Sequence, residues 1–240
     1  MRLTDFKLLT FDCYGTLIDW ETGIIKALRP LLRKGSVERP REEILASFAR
    51  HETAQETETP EMIYPELLGQ VHRRLAEEWG IAASAADHHA FGGSVGDWPA
   101  FADSAASLSY LKQFYKLVIL SNVDRDSFAV SSRRLGVAFD AVYTAEDIGS
   151  YKPDLKNFRY MIDALKNSGH AERDILHIAQ SLFHDHAPAN AVGLRSAWID
   201  RRRDAAGSGA TPPPPVGVRY DFRFSSMAEL VEAHRDELRE

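Results

Sequence analysis

A single cysteine, Cys13, leaves the chain with no intrachain disulfide, so its core alone must hold the fold. Long hydrophobic runs are missing too: nothing approaches the roughly 20 consecutive apolar residues that a membrane-spanning helix needs. Positive charge is scarce. Lys and Arg number 29 against 35 Asp and Glu, a formal net charge of −6, which disfavours nucleic acid and anionic membranes as partners. The opening residues, Met1-Arg2-Leu3-Thr4-Asp5, carry no signal-peptide pattern and run at once into an apolar segment. These absences together predict a cytoplasmic protein that acts on a small molecule. The sequence leaves a homodimer open. At 240 residues the chain can bury roughly 70–75% of its unfolded surface and needs no staples.

Apolar runs and helical periodicities divide the chain. Phe6 to Phe11 reads as a buried strand, ended by Asp12-Cys13-Tyr14-Gly15-Thr16 with Gly15 as the turn residue. Residues 21–92 carry three sets at helical spacing: Ile24, Ile25, Leu28, Leu31 and Leu32; Ile44, Leu45, Phe48 and Ala49; Leu67, Leu68, Val71, Leu75 and Trp79. Gly92-Gly93-Ser94 and Gly96 supply a flexible return. Further strands follow at Leu117–Leu120, Ala141–Tyr143, Ile175–Ala179 and Ser196–Ile199, alternating with helices near 104–115, 125–135, 155–167 and 186–192. This alternation predicts right-handed βαβ units in an α/β fold with a parallel sheet. The core is predicted over 1–18 and 97–240, with 19–96 inserted as an all-helical subdomain. Residues 204–218, with Pro212 to Pro215, read as a surface loop. A last helix begins at Ser225 or Ser226, with Glu229 at capping-box spacing from Ser226.

Ligands of open parallel sheets sit beyond the carboxyl ends of the strands. The polar residues there are Asp12, Ser121-Asn122, Lys152, Gln180-Ser181 and Asp185, a set suited to nucleophilic catalysis. Singly, each has an ordinary explanation as a turn former or solvated helix entry. His184-Asp185-His186 suggests a metal site, but side chains of adjacent residues diverge. Cys13 reads as packing beside the nucleophile, and Trp98 and Phe101 as core or hinge packing.

The sequence resembles the haloacid dehalogenase superfamily in four segments in order: Asp12-Cys13-Tyr14-Gly15-Thr16-Leu17, Leu120-Ser121-Asn122, Tyr151-Lys152-Pro153-Asp154, and Asp185 after a strand. The resemblance implies a Rossmann-like, doubly wound core with a helical cap. Within the superfamily the likeness is to the 2-haloacid dehalogenases. Phosphatases there carry a second Asp two residues after the nucleophile to protonate an alkoxide; Tyr14 stands here, and a departing halide needs no proton. Gln180 stands where phosphatases hold Mg²⁺ with an Asp. The resemblance therefore implies no cofactor and no metal. It implies a hydrolase for small 2-haloacids, with a covalent ester on Asp12, Lys152 keeping Asp12 ionised, Asp185 handling water and Thr16 supporting the loop. Ser121, Asn122, Tyr14 and Gln180 would meet the substrate, Arg50 on a cap helix would meet the halide, and His184 could assist a fluoride. Departures from the dehalogenase pattern fall at Gln180, Leu182 and Phe158. A Mg²⁺-dependent phosphatase and a non-catalytic binding protein on this fold are the alternatives.

Overall fold

The computed structural model describes residues 1–240. Strand β1 (Leu8–Phe11) is followed by four helices: α1 (Trp20–Gly35), α2 (Arg41–Glu58), α3 (Tyr64–Glu78) and α4 (Ala85–Gly92). Then come α5 (Ser104–Leu111), β2 (Lys116–Ser121), α6 (Arg125–Leu135), β3 (Ala141–Thr144), the single turn α7 (Ala145–Ile148), α8 (Leu155–Asn167) and β4 (Ile175–Ala179). The chain ends with α9 (Ala187–Val192), β5 (Arg195–Ile199), β6 (Phe222–Phe224) and α10 (Met227–Glu237). No helix is long and apolar enough to cross a membrane.

All six strands form one sheet in the order β3-β2-β1-β4-β5-β6, and every neighbouring pair is parallel. This is the doubly wound α/β architecture, with helices between successive strands except β5 and β6, which a loop joins. Its central strands are fully buried, as expected where helices cover both faces. The strand order reverses between β1 and β4, so the crevice for a ligand opens beyond Phe11 and Ala179.

Local chemistry sets the element ends. Asp124 accepts from Ser127 N at 2.8 Å and starts α6, and Gly136 closes it in the left-handed conformation. Ser226 caps α10 through Glu229 N, while the Glu229 carboxylate returns to Ser225 N, one residue earlier than a simple capping box would place it. Helix α5 stops at Leu111 rather than running to 115. Tyr115 turns inward instead, and its hydroxyl donates to Leu3 O. Strand β6 had no counterpart in the sequence reading, since three residues after a proline-rich loop are too short a run to stand out.

The chain leaves the sheet layer and returns to it side by side. Asp19 N donates to Pro99 O at 2.7 Å, Phe101 N donates to Leu17 O at 3.1 Å, and Ile18 pairs with Ala100. Between these crossings α1 to α4 pack on one another. Gly23 on α1 sits against Trp98, where a Cβ would lie 2.3 Å from the indole. Trp98 is buried and meets Tyr14 edge-on, and Phe101 lies under the Arg201 guanidinium, so both aromatics pack rather than line the crevice. The 204–218 segment is more than a surface loop. Ala210 and Thr211 are buried, and Arg202 just before it pairs with Glu21 of α1 and Glu42 of α2.

Candidate active site

Asp12 follows β1 directly, and its backbone N–H donates to Ile178 O of β4, fixing it at the switch point. Gly15, at φ +94°, takes a backbone conformation that a side chain would strain. The turn it permits brings Thr16 back under Asp12. Thr16 Oγ1 donates to Asp12 Oδ2 at 2.7 Å and accepts from Gln180 N at 2.9 Å. One hydroxyl thus ties the first loop to the end of β4.

Lys152 is 1% exposed. Its ammonium has three protons and three acceptors: Asp12 Oδ1 at 3.0 Å, Asp185 Oδ1 at 2.6 Å and Leu120 O at 3.0 Å. Burial works against this charge, but Asp12 and Asp185 outweigh it and hold the ammonium above its ordinary pKa. Burial likewise raises the Asp12 carboxyl, with Lys152 pulling the other way. For Asp185, burial is overcome by Lys152 and His177, and its carboxyl lies below the usual carboxylate range. Asp185 is the firmer anion of the two.

Behind Asp185 runs a polar thread. His177 lies within β4, where its Nε2 donates to Asp185 Oδ1 at 3.1 Å and its Nδ1 accepts from Thr10 Oγ1 at 2.9 Å, the tautomer that satisfies both neighbours. Phe158 packs edge-on against this imidazole, away from the crevice. A histidine inside an otherwise apolar strand was the signal that could have found His177 from sequence.

A cavity of about 30 Å³ lies over Asp12. Its floor comes from the strand ends: Asp12, Tyr14, Ser121, Asn122, Lys152, Gln180, Ser181, His184 and Asp185. Nine of the ten residues assigned to the site from sequence thus reach the cavity or, as Thr16 does, support it from below. Their roles differ from simple lining. The Tyr14 hydroxyl turns away and bonds Ser131 Oγ at 2.9 Å. The Asn122 side chain is fully used: its Oδ1 accepts from Lys152 N, and its Nδ2 donates to Lys152 O and to Glu56 Oε1. Ser121 Oγ, by contrast, is buried without any partner, as are His184 Nε2 and Asp185 Oδ2. Unpaired buried polar atoms are costly and mark where a ligand's own groups belong. His184 sits on a one-turn π-helix (Leu182–His186) with Ser181 Oγ at its Nδ1, and burial lowers its pKa to about 4. His186 points the other way, bonded to Ala179 O and Ser196, which separates the two histidines of this stretch.

Arg50 is the residue that the structure corrects. It is 58% exposed along its side chain and pairs with Glu78 at 2.7 Å, outside the cavity. A helix turns about 100° per residue, so Arg50 lies about 200° around α2 from Glu52, which does reach the cavity.

The whole chain matches solved structures of similar size. An L-2-haloacid dehalogenase, PA0810, shares 23% identity at a TM-score of 0.76, covering 95% of this chain and 98% of its own. The L-2-haloacid dehalogenase from Xanthobacter autotrophicus with chloropropionic acid covalently bound gives 17% and 0.76, covering 96% and 98%. YfnB from Bacillus subtilis, a putative HAD-hydrolase bound to magnesium, gives 20% and 0.75, covering 98% and 100%. At these identities the likeness speaks for the fold. A comparison with curated protein sequences finds no match. The model of the haloacid dehalogenase-like hydrolases matches residues 6–178. The chain belongs to that family.

This haloacid dehalogenase-like hydrolase has a roof that sequence reasoning missed. Trp20 of α1, Glu52 and Glu56 of α2, Tyr64 of α3 and Thr211 of the 204–218 loop close the cavity from the other side. The buried face of α2 explains how. Ile44, Leu45, Phe48 and Ala49 are continued at the same helical spacing by Glu52, Gln55 and Glu56, all buried. The face stays inward while its chemistry changes from apolar to acidic. Carboxylates on a helix ordinarily read as solvent-facing, so only the unbroken spacing carried the signal.

Magnesium, which one structural neighbour binds, wants about six oxygen ligands. Here Lys152 Nζ fills the gap between Asp12 and Asp185, Gln180 offers an amide, and no three His, Cys, Asp or Glu side chains converge as a ligand set. These residues do not fit that ion.

Proposed function

We propose that this hydrolase cleaves the carbon–halogen bond of a small 2-haloacid through a covalent ester on Asp12. The observation carrying the proposal is a buried carboxylate held against Lys152 with no acid two residues on: Tyr14 stands there, its hydroxyl spent on Ser131. Asp12 oxygen bonds to C2 of the substrate as the carbon–halogen bond breaks, and halide leaves with the electron pair. Water then adds to the Asp12 ester carbonyl; one of its protons passes to the departing alkoxide oxygen to give the 2-hydroxy acid, the other leaves to solvent, and Asp12 returns as the carboxylate. Asp185, low in pKa, is better suited to orienting that water through its free Oδ2 than to taking its proton outright. Ser121 Oγ is a ready donor for the substrate carboxylate. The small cavity, lined mostly by polar residues, favours a small polar substrate over a bulky one.

One turnover in ¹⁸O-water with enzyme in excess tests the route. Product oxygen is expected to come from Asp12, leaving the first product unlabelled; fully labelled product would reject the ester. Halide release from chloro-, bromo- and fluoroacetate and both 2-chloropropionates defines the substrate. Phosphate-ester hydrolysis that a chelator abolishes would favour the phosphatase reading instead.

A further inference from the structure

The acidic roof does not fit an anionic substrate unless it is discharged. The floor holds one ammonium against two carboxylates, and the roof adds Glu52 and Glu56 with no cation of its own in contact. We propose that Glu52 and Glu56 act as a pair of neutral carboxylic acids whose O–H groups bind the carboxylate of the substrate from the cap side. This specificity rests on the dehalogenase reading above and names the group that recognises its substrate.

The geometry supplies the argument. Both side chains are on the inward face of α2, one turn apart, and both line the cavity over Asp12. Each has an oxygen engaged as an acceptor: Glu52 Oε1 takes the Tyr64 hydroxyl at 2.6 Å, and Glu56 Oε1 takes Asn122 Nδ2 at 3.0 Å. That leaves Oε2 of each to carry a proton. Two independent features point to a ligand there. Ser121 Oγ, 2% exposed, and His184 Nε2 are buried donors without partners on the same cavity. With Ser181 Oγ–H donating to His184 Nδ1, Nε2 bears the ring proton and lies 3.9 Å from Glu56 Oε2. Neutral donors thus approach the cavity from α2, from the end of β2 and from the turn after β4.

The charged and titratable groups facing Glu56 are Glu52 on its own helix, Tyr64 of α3, Lys152 and Tyr151 from the segment before α8, and His184 from the turn after β4. Burial and the neighbouring Glu52 push Glu56 well above the ordinary carboxyl range, against the pull of Asn122 and Lys152. Burial takes Glu52 up to about 8, against the pull of the Tyr64 hydroxyl. A raised carboxyl is neutral below its shifted pKa, so anion binding is present at lower pH and lost as pH rises through it.

Acetate, a carboxylate that cannot react, tests this by calorimetry from pH 6 to 10 on the intact protein. Wild-type affinity is expected to fall by about tenfold per pH unit once a glutamate ionises, near pH 8 for Glu52. The double variant Glu52→Gln/Glu56→Gln keeps N–H donors that cannot ionise, so it is expected to lose that fall and to bind acetate at least tenfold tighter than wild type at pH 10. Glu56→Ala removes one donor and is expected to weaken acetate at pH 6, where the wild-type Glu56 is neutral; its thermal melt reports that it is folded. A double variant that tracks the wild-type curve, an affinity that rises with pH, or tighter binding of methylammonium than of acetate would overturn the proposal. Because acetate needs no turnover, the two readings separate: the predicted acetate profile with no halide release from any haloacid would keep the acid pair and retire the dehalogenase.

Discussion

The floor and the roof of one small cavity are built on opposite electrostatic plans. In the floor every charge is answered: Lys152 donates to two carboxylates and a carbonyl, and Asp12 and Asp185 accept from Thr16 and His177 as well. In the roof two carboxyls are buried with hydroxyl and amide donors only. Opposed charge favours the ionised forms of Lys152 and Asp185, whereas burial among neutral donors raises both roof carboxyls. The same functional group, a buried carboxyl, is thus pushed in opposite directions at Asp185 below and at Glu52 and Glu56 above, with the environment deciding.

Removing Lys152 should break the contrast most severely. Lys152→Met leaves Asp12 and Asp185 facing each other without a counter-charge, so we expect a loss of about 3–5 kcal/mol in urea unfolding together with loss of halide release. A variant as stable as wild type would mean that the floor does not depend on the ammonium. Thr16→Val is the next test. It takes a donor from Asp12 and an acceptor from Gln180 N, at a cost of about 1–3 kcal/mol. Thr16 also lowers the Asp12 carboxyl. Activity that needs ionised Asp12 is present above its pKa and lost below it, so the acid limb of the rate profile should move to higher pH in this variant.

The roof sharpens the comparison through pH rather than through mutation alone. Glu52 has a folded pKa of about 8 against an ordinary 4.5. Its proton is bound more tightly in the folded state, so its contribution to stability is fully present below pH 4.5 and is lost as pH rises through 8. Glu52→Gln should flatten that decline in melting temperature between pH 5 and 8; identical slopes for the two proteins would assign the decline to other groups. The smallest effect belongs to Arg50, whose pair with Glu78 is exposed. Arg50→Ala should change stability by no more than about 0.5 kcal/mol, and halide release should match wild type.

The same contrast separates what the sequence made legible from what it did not. The strands were readable because central parallel strands are apolar throughout, and Asp12, Ser121 and Lys152 were readable because they end or follow such runs. Helices α6 and α8 fall at Arg125–Leu135 and Leu155–Asn167, where their periodicity put them. The roof was opaque. Glu52 and Glu56 sit on a helix where acids ordinarily face water, and Thr211 lies in a proline- and glycine-rich loop whose composition gives no hint that Arg202 pins it inward. Arg50, expected at the cavity, pairs with Glu78 outside it, because its position on α2 faces away from the side that Glu52 and Glu56 share. Floor residues are specified by the strand they end. Roof residues are specified by which face of α2 meets the core, and that depends on packing from elsewhere in the chain.

Asn122 touches both halves unequally. Of its three hydrogen bonds, one reaches Glu56 in the roof and two hold the backbone of Lys152. If the cap lifts to admit a substrate, Asn122 gives up only the first. Losing that one bond would leave both bonds to the Lys152 backbone intact, so the ammonium is anchored from the core and not from the roof.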